Sequence, residues 1–355
     1  MKKLTESDIL GQQIRVRRSL AKSTRKHKTA NGNVPRIFSR VKVTAPQHLD
    51  LFDLKNYNAF IVFISELQNH IEGNGEKVII DFGSTTNIKA CAVIVLYAYL
   101  DFWQTKTKNP QIATITTGGN SMVNKWLREC GIWDLTKVQY KKIDKSTLLP
   151  IISAIAGGTN ADQEIITKTR EKIKSVLIYI QDVIYGGKLD QEEKARLYAA
   201  LTESISNVGL HAYSEPDSYS IILQHLGKKL WIFTRKVNEQ LFTLIFDMGS
   251  GIPVTLGKKH FFSEIVKHFN PKNDSDRISA AVKYGETRMK DKKHGKGLPE
   301  IKEYVVNNPM GQLNIFSGKG SYCYDTKTNK EYLNEMPKSI GGTLIQWNVN
   351  IGKSL

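Results

Sequence analysis

The chain has 355 residues, 40% hydrophobic and 24% charged, with a formal net charge of +17. At roughly 150 residues per domain that length suggests two domains with real cores, and the composition is that of a soluble globular protein rather than a membrane-embedded one. The positive balance favours anionic partners, such as nucleic acid, nucleotide or an acidic protein surface, and says nothing about fold.

Residues 1–40 hold eleven Lys or Arg (Lys2, Lys3, Arg15, Arg17, Arg18, Lys22, Arg25, Lys26, Lys28, Arg36, Arg40) against Glu6 and Asp8, a net +9 that leaves +8 for the rest. Such an arm is either a solvated tail or a contact for nucleic acid or an acidic partner. The lone Phe38 offers no platform for base stacking. MKKLTESDIL carries the charge of a signal peptide but no apolar core follows it, so none is expected.

From 41 to 145 strands and helices alternate. RVKVTAP suggests a strand, NAFIVFISELQNHIEG a helix ending on glycine, and KVIIDFG a short strand ended by a turn. KACAVIVLYAYLDFWQTKT is a long apolar helix, IATITTG a strand, and NSMVNKWLRECGIWDL a helix closed by Gly131. The apolar run ACAVIVLYAYL has eleven residues, short of the about 20 that a membrane span needs, so a buried helix and no membrane association are expected. The alternation predicts an α/β sheet layered by helices. Cys91, Cys130 and Cys323 lie far apart and form no CxxC, which fits a reducing cytoplasm and supports neither a zinc site nor a disulfide framework.

Residues 146–189 read as a mainly helical connector, with AGGTNAD its most flexible point. A second α/β unit is expected over 190–355. It opens with a long helix at 191–213, then a hairpin of SYSIILQHL and KLWIFTRKV around Gly227, then the strand QLFTLIFD. The helix KGLPEIKEYVV and the strands GQLNIFSGKG and GGTLIQWNVN complete it.

On the helix at 191–213, taken at about 100° per residue, Leu197, Ala200, Leu201, Ile205, Val208 and Ala212 form one apolar stripe. Glu203, Asn207 and His211 form a second stripe at the rim of the buried face, where a pocket wall would stand. Alone, such a row is more often a solvated face than a site. Three later stretches bear on the choice. In IFDMGSGIP (245–253), Asp247 ends an apolar strand, and Gly249 and Gly251 would let the backbone pass close to a flat ligand or phosphate; otherwise this is a plain Asp-Gly turn. In KKHGKGLPEIKEYVV (292–306), Gly295, Lys296 and Gly297 open a helix whose free N–H groups suit a phosphate, or they form an ordinary glycine-rich helix start. In GGTLIQWNV (341–349), Thr343 sits between tight glycines and a buried strand, or in a β-turn.

In this order and spacing, ESISN, DMGSG, GKGL and GGT resemble the N-box, DxGxG box, GxGL box and terminal Gly-Thr strand of the GHKL ATPase superfamily (gyrase, heat-shock chaperone, histidine kinase and MutL). The resemblance covers about 190–350 and implies a Bergerat-type α/β sandwich that binds ATP and Mg²⁺. It implies that the Asn207 amide oxygen binds Mg²⁺ and that Glu203 orients or deprotonates an attacking water or hydroxyl. Asp247 would accept the adenine amino proton, Gly249 and Gly251 would admit the purine, and Thr343 would bond near the adenine. Gly295, Lys296, Gly297 and Leu298 would hold the phosphates. Residues 254–294 would form a mobile lid whose Arg288, Lys290, Lys292 and Lys293 are candidates for the γ-phosphate. TESISNVGLHAY looks most like the anti-sigma-factor serine kinases, so His211 either helps shape the site or is a surface histidine.

VIIDFGSTTNIKACAVIVLYAYL and ITTGGNSMVNKWLRECGIWDL in turn resemble the STAS fold (sulfate transporter and anti-sigma antagonist), over 41–145. Phosphorylated members of that family carry an Asp-Ser pair where this chain, counted from Asp81, has Lys89 and Ala90. Alanine has no hydroxyl to phosphorylate, and Ser84, Thr85 and Thr86 lie upstream in the turn. The STAS-like unit is therefore expected as a docking or dimerisation surface, with a homodimer left open. The fold expected is thus two α/β domains, an arm at 1–40 and a connector at 146–189. The function expected is a bacterial, cytoplasmic, ATP-hydrolysing conformational switch that regulates a protein partner through the STAS-like domain and basic arm. The alternatives are a protein serine/threonine kinase acting on a separate STAS protein, and a non-catalytic nucleotide-sensing or nucleic-acid-binding regulator.

Overall fold

The computed structural model of the chain describes residues 35–116, 119–138, 148–156, 163–213, 222, 225–259, 262–288, 297–308 and 310–351. The chain divides into two compact units, 1–144 and 145–355, and both mix helix with strand.

The first unit carries β1 (Arg36–Ile37), β2 (Arg40–Thr44), β3 (His48–Leu49), α1 (Leu54–Gln68), β4 (Val78–Asp81) and β5 (Asn87–Ile88), followed by α2 (Ala90–Thr107), β6 (Ala113–Ile115), α3 (Ser121–Glu129) and α4 (Ile132–Leu135). Its main sheet runs β1-β2-β4-β6. β2, β4 and β6 are parallel, so each successive pair needs a crossover, and α1 and α2 supply them. α2 buries residues on every side, from Cys91 to Trp103, as an apolar run without a polar face must. Asp53 caps α1 by accepting from the Asn56 amide, and Asn120 caps α3 by accepting from the Met122 and Val123 amides. Gly131, at φ +87°, turns the chain from α3 into α4.

Several charged groups among the described residues of this unit are paired. Burial pushes the Asp81 carboxyl up, but Lys42 at 2.8 Å, the Gly83 amide and the Thr116 hydroxyl outweigh it and hold the pKa below the ordinary carboxylate range. Lys89, placed unfavourably for a cation at the start of α2, pairs with Asp50 at 2.8 Å, and Ala90 is the first helical residue. Arg36 and Arg40, two charges of the expected arm, belong to the β1–β2 hairpin instead. Arg36 pairs with Glu76, and Arg40 donates to the Gln111 and Val78 carbonyls. The arm's other nine basic residues lie outside the described residues.

The second unit carries β7 (Ile152–Ile155), α5 (Gln163–Ile178), α6 (Gln191–Asn207), β8 (Lys229–Val237), β9 (Gln240–Asp247), α7 (Ile252–Gly257) and α8 (Phe262–Phe269). α9 (Asp274–Arg288), α10 (Gly297–Val306), β10 (Gln312–Ser317), β11 (Gly320–Asp325), β12 (Lys330–Glu335) and β13 (Thr343–Asn350) follow. The sheet order is β12-β11-β10-β13-β9-β8-β7, with every neighbouring pair antiparallel. One core joins helices to sheet. Val176 of α5, Leu201 and Ile205 of α6, Ile278 and Val282 of α9, and Ile301 and Val305 of α10 pack with Ile232, Ile245, Ile315, Ile345 and Trp347. α6 begins with a capping box in which Asp190 and Glu193 each bond the other's backbone amide.

The structure departs from the sequence expectations in four places. The stretch 146–189 is more than a helical connector. Ile152–Ile155 is an edge strand on β8, and Val176, Tyr179 and Ile180 are buried in the core; four residues, ISAI, are too few to show a strand's alternation. Among the described residues no hairpin of SYSIILQHL with KLWIFTRKV forms. β8 pairs with β9 instead, across Asn238, whose φ of +54° suits a tight hairpin turn. Most of SYSIILQHL lies outside the described residues, and Ile222, His225 and Leu226 are helical. β11 and β12 add a hairpin that was not expected, because KEYLNE is largely exposed and carries no apolar face to signal it. Finally, the expected lid at 254–294 includes α9, which buries Ile278 and Val282 in the main core and Ala280 and Tyr284 in a small cluster with Leu256 and Ile265. A helix held on two faces is part of the fold body.

Ile315 is wholly buried at the centre of the second unit's core. Ile315→Ala is expected to cost about 2–5 kcal/mol, read as a lower denaturant midpoint for unfolding of that unit.

Candidate functional site

β9 ends on Asp247 and β13 begins on Thr343, and the antiparallel register sets these two residues directly opposite each other, with Ile245 opposite Ile345. Side chains on a strand alternate between faces. Ile245 and Ile345 pack in the core with the helices, so Asp247 and Thr343 share that face. α6 runs over it and continues as a wide π-turn, Val208–Ala212, a feature that recurs at functional sites.

The end of this helix is stitched to the turn after β9. The Ser250 amide donates to the Ala212 carbonyl at 2.7 Å. The Met248 amide donates to the Tyr213 hydroxyl at 3.0 Å, and that hydroxyl donates to the Lys229 carbonyl at 2.7 Å. The seam is too tight for side chains. A Cβ on Gly249 would fall 2.2 Å from the Ala212 oxygen, and one on Gly342 would fall 1.8 Å from the Asp247 carbonyl oxygen.

A pocket opens between α6, the ends of β9 and β13, the α7 region and the start of α10. Its floor is apolar, with Val208, Ile245, Leu256 and Ile345 among the lining residues.

Of the residues singled out by sequence, Asn207, His211, Asp247, Gly251, Gly297, Leu298 and Thr343 line this one pocket. Glu203 stands at its edge. A Cβ on Gly297 would fall 2.7 Å from a Glu203 carboxylate oxygen and 2.4 Å from the Asn207 amide nitrogen, so a side chain there would push the ends of these two side chains aside. Gly249 does not line the pocket as expected; its small size serves the seam behind Asp247. Gly295, Lys296, Lys290, Lys292, Lys293 and the side chain of Arg288 lie outside the described residues. Lys259, Ser317 and Tyr213 were missed. Lys259 sits among other basic residues in GKKHFF, where nothing marks it, and Ser317 reaches the site only through strand pairing.

The polar groups here are few and perturbed. Burial pushes the Asp247 carboxyl from an ordinary 3.8 up to about 7, against the opposing effect of bonds from the Gly249 and Thr343 backbones. The Gly249 amide is 2.8 Å from its Oδ1. Burial, and then the charge of Glu300, push the Glu203 carboxyl up. Burial, and then the Lys259 ammonium, push His211 down; Lys259 Nζ is 3.1 Å from His211 Nδ1. The Thr343 and Ser317 hydroxyls pair at 2.9 Å, and Ser317 Oγ also accepts from the Ile252 amide at 2.8 Å. Asn207 Nδ2 is buried and has no hydrogen-bond partner among the described residues, which costs stability unless another group satisfies it.

Among the described residues no group of three or more His, Cys, Asp or Glu gathers to hold a metal. Magnesium asks for less, taking one or two protein oxygens and completing its shell with water and phosphate. Asn207, against Gly297, offers one such oxygen, since an amide turned about its last bond presents oxygen in place of nitrogen. No protein-family model and no curated protein matches the chain. No helix among the described residues is long and apolar enough to cross a membrane.

Asp247 gives a pH prediction. Its pKa is higher folded than unfolded, so the folded state holds this proton more tightly. The stability that the protonated carboxyl contributes is complete below about pH 4 and is lost as the pH rises through about 7. Asp247→Asn, which stays neutral, is expected to flatten that slope in a thermal-unfolding series from pH 4 to 8.

Proposed function

We propose that the second unit binds Mg-ATP and hydrolyses it as a GHKL-type ATPase, and that the protein is an ATP-driven conformational switch. The observation that carries this reading is convergence. Residues from four separated motifs, Asn207, Asp247, Gly297 and Thr343, line a single pocket, and the buried Asn207 amide in it lacks a partner.

The residues have distinct work to do. The ionised Asp247 carboxylate accepts a hydrogen bond from an exocyclic amine, with the Thr343 hydroxyl beside it on the next strand. The apolar floor takes the flat base. The start of α10 presents backbone N–H groups and the positive end of a helix dipole to phosphate. Asn207 would hold the metal, which would supply charge neutralisation at the phosphates. Glu203 takes the proton from the attacking water, and its raised pKa makes it a better proton acceptor than an exposed carboxylate.

In the first unit, Ala90 occupies the position of a phosphoacceptor in the STAS resemblance and Lys89 beside it is engaged by Asp50. That supports a docking role for this unit, towards a regulatory protein partner, over a substrate role. A reducing cytoplasm is the compartment proposed, since no disulfide joins Cys91, Cys130 or Cys323.

Two measurements test the reading. With Mg²⁺ and γ-labelled ATP, the label is expected as free phosphate. Glu203→Ala should slow its release by about 10²–10⁴-fold while ATP binding persists. Label on a protein side chain would replace the switch with a serine/threonine kinase, and absence of ATP binding would end the nucleotide reading. Second, because the ionised Asp247 is the acceptor, adenine affinity should rise with pH about tenfold per unit below about 7 and then level off. Calorimetry at pH 5.5 to 8.5 reads this, and Asp247→Asn should abolish both the dependence and most of the affinity.

A further inference from the structure

Lys259 belongs to none of the four motifs, yet it lines the pocket together with Asn207 and His211. Its ammonium sits 3.1 Å from His211 Nδ1. An ammonium has donors only, so Nδ1 is the acceptor, and the imidazole presents its lone pair to the lysine. The contact fixes where a long, flexible side chain ends.

The lysine's surroundings are uncommon for this protein. Four half-buried lysines are held by carboxylates, Lys42 by Asp81, Lys106 by Glu72, and Lys283 and Lys302 by Glu331, while Lys228 donates to the Gly209 carbonyl. Among the described residues Lys259 has no carboxylate partner. A cation drawn partly out of water and seated on a neutral ring is left with unused charge and unused donors, which an anion would satisfy. Burial also lowers its pKa, the direction expected of a cation with no counter-charge. The pocket's own acids, Asp247 inside it and Glu203 at its edge, would repel a polyanion, so a phosphate chain entering there needs a fixed positive group to offset them.

Resting on the nucleotide reading of this pocket, we infer that Lys259, seated on His211, is the pocket's phosphate-reading residue, and makes it select phosphorylated nucleosides over the free nucleoside. His211 is a positioning residue that acts through the lysine.

The experiment compares ATP, ADP and adenosine binding, with Mg²⁺, by calorimetry on the full chain. Lys259→Met is expected to weaken ATP and ADP by about tenfold or more, the scale of one charge-assisted hydrogen bond, and to leave adenosine unchanged. Lys259→Arg keeps the charge and should recover part of the loss. His211→Asn should give a smaller loss of the same phosphate-dependent kind. Equal ATP-to-adenosine ratios in wild type and Lys259→Met would overturn the inference while leaving the nucleotide reading intact. If the wild type binds no adenine compound, inorganic pyrophosphate alone decides. Binding that Lys259→Met removes would keep the anion role and discard the nucleotide, and no binding would discard both. Thermal melts of the variants separate a lost contact from a lost fold.

Discussion

The hydrogen bond from the Ser250 amide to the Ala212 carbonyl closes a seam on which the site's geometry depends. It ties the turn after β9 to the π-turned end of α6, with no room for a Cβ at Gly249. Tyr213 reinforces it by joining Met248 to Lys229 through one hydroxyl. With the seam closed, Asp247 lies almost wholly buried under the helix, and its raised pKa is the electrostatic consequence. The same closure sets one wall of the pocket, because α6 can then leave the sheet only on the side where Asn207 and His211 stand.

The two units contrast in how they treat polar groups. At the end of β4 in the first unit, Asp81 accepts from Lys42, Thr116 and Gly83, and Lys89 is matched by Asp50. These groups are satisfied internally and stabilise the fold. In the second unit's pocket, the Asn207 amide is unpartnered, Asp247 and Glu203 are held where ionisation is costly, and Lys259 is seated on a neutral ring. Each arrangement is unfavourable by itself and becomes favourable with a ligand that brings a donor to the acid, a metal ion to the amide oxygen and negative charge to the lysine. An adenine nucleotide with its metal has that pattern, which is why the pocket, and not the first unit's sheet, is the candidate site.

α9 adds a constraint on motion. By burying Ile278 and Val282 in the main core, it anchors the chain between the α7 region and the start of α10. Closure over a ligand, if it follows the switch mechanism proposed, then has to come from a shorter segment than 254–294. Gly297 stands at the other end, where a side chain would displace the Asn207 and Glu203 side chains.

Much of this architecture was legible in the chain itself. Hydrophobic periodicity located β2, α1, β4, α2, β6 and α3, and the apolar stripe from Leu197 to Ala212 marked the buried face of α6. The E-x-x-x-N-x-x-x-H row and the glycines flanking Asp247, Gly297 and Thr343 pointed to pocket residues, because helical spacing and tight backbone approach leave local marks. Short or exposed strands such as ISAI and KEYLNE left no such mark, since their place depends on a neighbouring strand's edge and not on their own pattern. Only the tertiary structure decided that Gly249 serves the seam and not the pocket, that Ser317 meets Thr343, and that Lys259 rests on His211. Those contacts join residues 26 to 48 positions apart, and their geometry follows from strand register and helix packing, which no local stretch of sequence encodes.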